Sequence, residues 1–199
     1  MSVPIALLRH FPTDWNLERR LQGRADRPLT DDARARLRGL RLPAPWDRAL
    51  IVASPLSRAR ETAQILAQGR PVRLDARLVE QDWGAWEGRL SADLLADPGS
   101  GFIPTHLMPL EFRPPGGESA QDMLDRLRPA FVEIAQQARP TLVVGHKALM
   151  RSVLAEAIGP AALPEGGVEI KRGRLYPIQL APDGRVSRPG APMRLMPKR

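Results

Sequence analysis

The chain has 199 residues, 43% of them hydrophobic, with 30 basic against 22 acidic side chains, a formal charge of +8, and no cysteine. The lack of thiols excludes disulfides, thiolate metal sites and a cysteine nucleophile, so any covalent catalysis must use another side chain. No apolar run approaches the roughly 20 residues of a membrane span, and the run from Val3 to Leu8 is too short, and too soon followed by charge, for a signal peptide. A cytoplasmic protein with a single domain over residues 1–199 is expected. The cations are nearly all arginine, scattered on polar helix faces, and no basic helix with interleaved aromatics speaks for nucleic acid as a partner.

The first apolar run, Ile5 to Leu8, has the length of a buried strand and ends in Arg9-His10. Thr30 can cap a helix reaching about Leu40, with Asp31 and Asp32 favourably placed in its first turn. Ala49 to Ala53 reads as a strand, and Ser57 can cap the helix whose stripe is Ala59, Thr62, Ala63 and Leu66. Val72 to Leu74 is a third short strand. Residues 91–117 hold five prolines without clear periodicity, the mark of a lid-like excursion, and His106 within them reads as surface or lid.

Ser119 opens the longest helix, which buries Met123, Leu127, Ala130, Phe131, Ile134 and Ala138. Leu142 to Val144 is a strand running into Gly145-His146, and a helix from about Ala148 to Ile158 stops at Gly159. Leu175 to Leu180 is a strand that the turn at Ala181-Pro182-Asp183-Gly184 folds back beside Val186. The tail over 187–199 wraps the surface or is partly disordered. Strands alternating with helices predict an α/β fold with a mainly parallel sheet, whose carboxyl edge is where ligands bind. Two of the three histidines, His10 and His146, fall at that edge.

Further pieces follow in order: Thr13 and Asn16, Gln22-Gly23-Arg24, Ser54-Pro55-Leu56-Ser57-Arg58-Ala59, Leu78-Val79-Glu80, Trp86-Glu87-Gly88 and Pro115-Gly116-Gly117-Glu118-Ser119. With the two histidines, this series resembles the histidine phosphatase superfamily, the phosphoglycerate mutase-like proteins, over residues 4 to about 155. The resemblance implies a three-layer α/β/α sandwich and a site for a small phosphorylated metabolite, without metal or cofactor. It places the arginine pair Arg9 and Arg58 on the phosphate, Asn16 and Thr13 near it, and Glu80 at the proton donor's position, with Asp82 and Glu87 as rivals that spacing does not exclude.

A phosphomonoester needs an in-line nucleophile, cations around its equatorial oxygens and an acid for the departing alkoxide. His10 is the candidate nucleophile, through a phosphohistidine that water hydrolyses. Arg9 and Arg58 can offer planar forks to phosphate oxygens, and His146 can donate as charge develops. Phe11, Pro12 and Lys147 depart from the family, which usually has Gly-Glu after the first histidine and Gly after the second. Phe11 either stacks on the leaving group or turns into the core, and Lys147 either meets a second anionic group or points to solvent. Phosphatase chemistry is the leading reading, with mutase-type transfer or a degenerate phosphate binder as alternatives.

Overall fold

The structure is a computed structural model that describes residues 1–159 and 169–198. Strands β1 (Val3–Arg9), β3 (Leu50–Ala53), β4 (Arg73–Leu74) and β5 (Thr141–Gly145) run parallel, in the spatial order β4-β3-β5-β1. The sheet continues from β1 into β6 (Arg174–Leu180), which runs antiparallel with Leu8 opposite Leu175, then into β7 (Val186–Ser187). A short strand β8 (Met193–Arg194) also pairs with β6. β6 therefore begins where β1 ends, so the residues just before it reach the same edge as His10.

Alternate residues of each central strand feed opposite faces, as the twofold side-chain period requires. Ile5 and Leu7 of β1 join Val143 of β5 in one core with α5 (Ala120–Gln136) and α6 (Lys147–Ile158). Ala6, Leu8, Leu142 and Val144 face the other core, against α2 (Asp31–Arg38) and α3 (Ser57–Ala67). Two helical layers around one sheet make the three-layer α/β sandwich.

The long helix starts at a capping box, Ser119 accepting from Asp122 N while the Asp122 carboxylate accepts from Ser119 N. Thr30 caps α2 by accepting from Ala33 N. Three local expectations are corrected. Ser57 is the first residue of α3 rather than its cap: its N–H and hydroxyl both donate to Asp26, at 2.7 and 2.8 Å, so a carboxylate from another loop holds this helix end. Ala138 lies beyond α5, exposed, at a φ of 49°. The proline-rich excursion contains a short helix, α4 (Ser91–Ala96), and packs Leu94 and Phe102 against Trp83 and Trp86 as a satellite core. The tail is ordered by pairing, β8 on β6 and β9 (Met196–Pro197) on β2 (Leu40–Arg41).

Candidate active site

β1 and β5 are in register with Arg9 opposite Gly145, so His10 and His146 leave the sheet side by side. His10 N donates to the Gly145 carbonyl at 2.9 Å, and the two rings lie 5.3 Å apart between centroids. Both side chains are buried.

Their hydrogen bonds assign opposite tautomers. His10 Nδ1 is 2.7 Å from the Phe11 carbonyl, which can only accept, so Nδ1 carries hydrogen and Nε2 of the neutral ring keeps its lone pair. His146 Nδ1 lies 3.3 Å from Arg58 Nε, which can only donate, so Nδ1 accepts and Nε2 carries the hydrogen. That Nε2 is buried and, among the described residues, has no partner. One histidine thus offers a lone pair and the other an N–H.

Burial, the neighbouring His146 and the guanidinium groups of Arg58 and Arg9 hold His10 well below the usual imidazole range. Burial does the same to His146, aided by Arg58, Arg126 and Arg9. The unfolded chain therefore takes up protons below about pH 6.5 that the folded chain refuses. Stability should fall on acidification by on the order of 1.4 kcal/mol per pH unit for each such histidine. Urea unfolding between pH 7 and 5 measures this slope. His10→Gln should make it shallower, and an unchanged slope in that variant would contradict the burial of a neutral ring.

Arg58 is fully buried, and its fork is largely committed to protein. It donates to the Gly23 and Ala25 carbonyls at 2.5 and 2.8 Å, besides His146. The Glu87 carboxylate accepts from the N–H groups of the same two residues, at 2.9 and 2.5 Å, so Glu87 and Arg58 clamp one loop from both sides. A side chain at Gly23 would put its Cβ 2.5 Å from the Gln81 carbonyl oxygen, which explains glycine there. Arg58 orients His146 and the loop; only its remaining N–H groups are left for an anion, rather than the open fork expected from sequence.

Glu80 is buried at the start of α6. Its Oε1 accepts from Gln81 N and Leu149 N at 3.1 and 3.0 Å, and its Oε2 from Ala148 N at 3.0 Å. Arg126 fixes the chain leading to it by donating to the carbonyls of Arg77, Val79 and Glu80 and to the Glu118 carboxylate. Arg9, His10 and Glu80 line one cavity of about 1090 Å³; His146, Arg58, Asp82 and Glu87 do not. Asp82 instead faces Arg24 and accepts from Gly84 N.

One of the two open readings for Phe11 holds, and the expected contact of Thr13 is corrected. Phe11 turns into the core beside Leu8 and Leu29 rather than onto a leaving group, held by its N–H on Thr62 Oγ1 at 3.1 Å. Thr13 caps α1 (Asp14–Leu17), accepting from Asn16 N and donating to Gln22 Oε1 at 2.9 Å, and does not line the cavity. Asn16 does line it, but its amide donates to Gln22 Oε1 and its oxygen accepts from Arg172 at 2.7 Å. Lys147 and His106 also line the cavity, both exposed.

The sequence reading missed Gln22 and Arg172 as donors. Among the described residues five buried side-chain polar atoms lack a partner, and four belong to Arg9, Gln22, His146 and Arg172. Natural proteins leave few such groups; Arg9, Gln22 and Arg172 line the cavity, and His146 packs against His10, which lines it too. Gln22 lay in plain view within Gln22-Gly23-Arg24; nothing in the sequence pointed to Arg172.

The sequence model described as the histidine phosphatase superfamily (branch 1) matches residues 5–186. The chain belongs to the histidine phosphatase superfamily. A "probable phosphoglycerate mutase" of Citrobacter koseri is 33% identical over 181 residues, covering 84% of this chain and 80% of the relative. Among solved structures, a mycobacterial glucosyl-3-phosphoglycerate phosphatase superposes with a TM-score of 0.73 at 26% identity, over 99% of this chain and 98% of its own. A phosphoglycerate mutase from Thermus thermophilus superposes at 0.63 with 30% identity, over 95% and 99%. The residues after its two histidines lie apart, Phe11 inside the core and Lys147 at the cavity.

Proposed function

We propose that the protein is a metal-independent phosphatase that hydrolyses a small phosphomonoester through phospho-His10. The observation that carries this reading is the opposed tautomers: a buried imidazole with a free Nε2 lone pair beside a second with a free Nε2–H. His10 Nε2 bonds to phosphorus as the ester P–O bond breaks. Its electron pair leaves with the ester oxygen, which takes a proton from Glu80. Oε2 is the oxygen for this, having a single N–H partner. Water then attacks the phosphohistidine, returns a proton to Glu80, and releases phosphate and free His10. Arg9, His146 Nε2 and the spare N–H groups of Arg58 and Gln22 meet the equatorial oxygens as charge builds.

Hydrolysis is favoured over mutase-type transfer by the excursion's share of the cavity lining, which includes Phe102, Met108 and Phe112 and no lysine or arginine. The two phenylalanines and Met108 suit the apolar face of a leaving group. The purified protein should release one inorganic phosphate per ester consumed from an aryl phosphate and from a panel of phosphorylated metabolites, at an unchanged rate in excess chelator. Isomerised ester without free phosphate would decide for the mutase, and anion binding without turnover for the degenerate binder.

A further inference from the structure

The cavity carries more positive charge than a phosphoryl group uses. Lys147 and Arg151 stand one turn apart on α6, and Arg172 reaches the same cavity from the segment before β6. Arg151 donates to the hydroxyl and carbonyl of Thr105, at 3.1 and 3.2 Å, and Arg172 to Asn16 Oδ1. Among the described residues none of the three forms an ion pair with a carboxylate. Glu80 attracts Lys147 and Arg151, but both its oxygens are bound by backbone N–H groups.

Burial, and then Arg9, pulls Arg172 down to about 9. Lys147 is lowered by burial and by Arg9, Arg151 and Arg172 together. Lys147 is exposed and Arg151 and Arg172 are half-buried; cations this close, with no paired carboxylate among the described residues, repel one another, and an anion relieves them. A phosphomonoester brings about two negative charges near neutral pH, which Arg9 and Arg58 already match. The volume of about 1090 Å³ also exceeds what one phosphoryl group fills.

We propose that Lys147, Arg151 and Arg172 form a subsite for a second anionic group, carboxylate or phosphate, borne by the leaving group of the phosphomonoester. The proposal rests on the reading of the His10 end as the phosphoryl site. Two guanidinium groups and an ammonium on separate elements can hold a planar or tetrahedral anion by charge-assisted hydrogen bonds. Lys147 then becomes a specificity determinant.

The test is calorimetric titration of the whole protein with three series of unhydrolysable ligands of graded chain length: alkylphosphonates, ω-phosphonocarboxylates and α,ω-bisphosphonates. At a matching length a second anion should tighten binding by about tenfold or more over the plain alkylphosphonate. Comparing carboxylates with bisphosphonates identifies which anion the subsite prefers. Lys147→Gln and Arg151→Gln should each shrink that ratio. No tightening at any length, while alkylphosphonates bind, overturns the subsite and leaves the phosphatase reading intact. Equal weakening of all three series by Arg151→Gln also overturns it, since Arg151 would then only fasten Thr105 and its loop. If alkylphosphonates fail to bind at all, the phosphoryl-site reading falls and the subsite with it.

Discussion

His10→Ala is expected to lower kcat for any phosphomonoester by on the order of 10⁴-fold or more, because in the proposed route it removes the atom that bonds to phosphorus. Single-turnover labelling should find phosphate on His10 of the wild-type protein after an alkaline quench, which preserves a nitrogen-phosphorus bond, and none in the variant. The fold should survive, since the ring makes one side-chain bond, to its neighbour's carbonyl, while the backbone N–H that ties it to Gly145 is kept. A His10→Ala protein with near wild-type turnover would end the phosphohistidine mechanism. Full loss of turnover without a labelled intermediate in wild type would instead make His10 a base for direct attack by water.

Much of this site was legible because parallel strands deliver consecutive signals to one edge. An apolar run followed by Arg9-His10, and another followed by His146, needed only a parallel register, and β1 and β5 supply it. The helix caps at Thr30 and Ser119 were legible for a similar reason, since capping is local chemistry. What escaped was set by tertiary contacts. Arg172 reaches the site because β6 runs antiparallel and begins at the edge where β1 ends, a reversal that an apolar run does not announce.

Phe11 illustrates a different limit. Its position after His10 left two readings open, substrate contact or core; a ring at that point has a core within reach, and burying it stabilises the chain by roughly 1.5–3 kcal/mol. The Ser57 end of α3 is held by Asp26, 31 residues away, which no local pattern predicts. Arg58 shows the subtlest gap: residue type and place were readable, but its commitment to Gly23, Ala25 and His146 depends on a loop folded by Glu87.

Glu80→Gln separates the proton donor from its scaffold. If Glu80 protonates the departing oxygen, the loss should depend on the leaving group: on the order of 10²–10⁴-fold for an alkyl phosphate, whose alkoxide needs the proton. For 4-nitrophenyl phosphate, whose phenolate departs unaided, formation of phospho-His10 should be nearly normal. Its breakdown, which needs Glu80 to take a proton from water, becomes the slow step, so labelled intermediate should accumulate. The substitution also has a structural cost. Glu80 accepts from three backbone N–H groups, and a glutamine would turn its NH₂ toward Ala148 N or Leu149 N, leaving a donor facing a donor. That mismatch costs about 1–3 kcal/mol, visible in urea unfolding, and it acts on both substrates alike. The ratio of alkyl to aryl rates of phospho-His10 formation, read in single turnovers, therefore reports proton donation alone. A ratio unchanged by Glu80→Gln would reduce Glu80 to a clamp on the first turn of α6 and send the search for the acid elsewhere in the cavity.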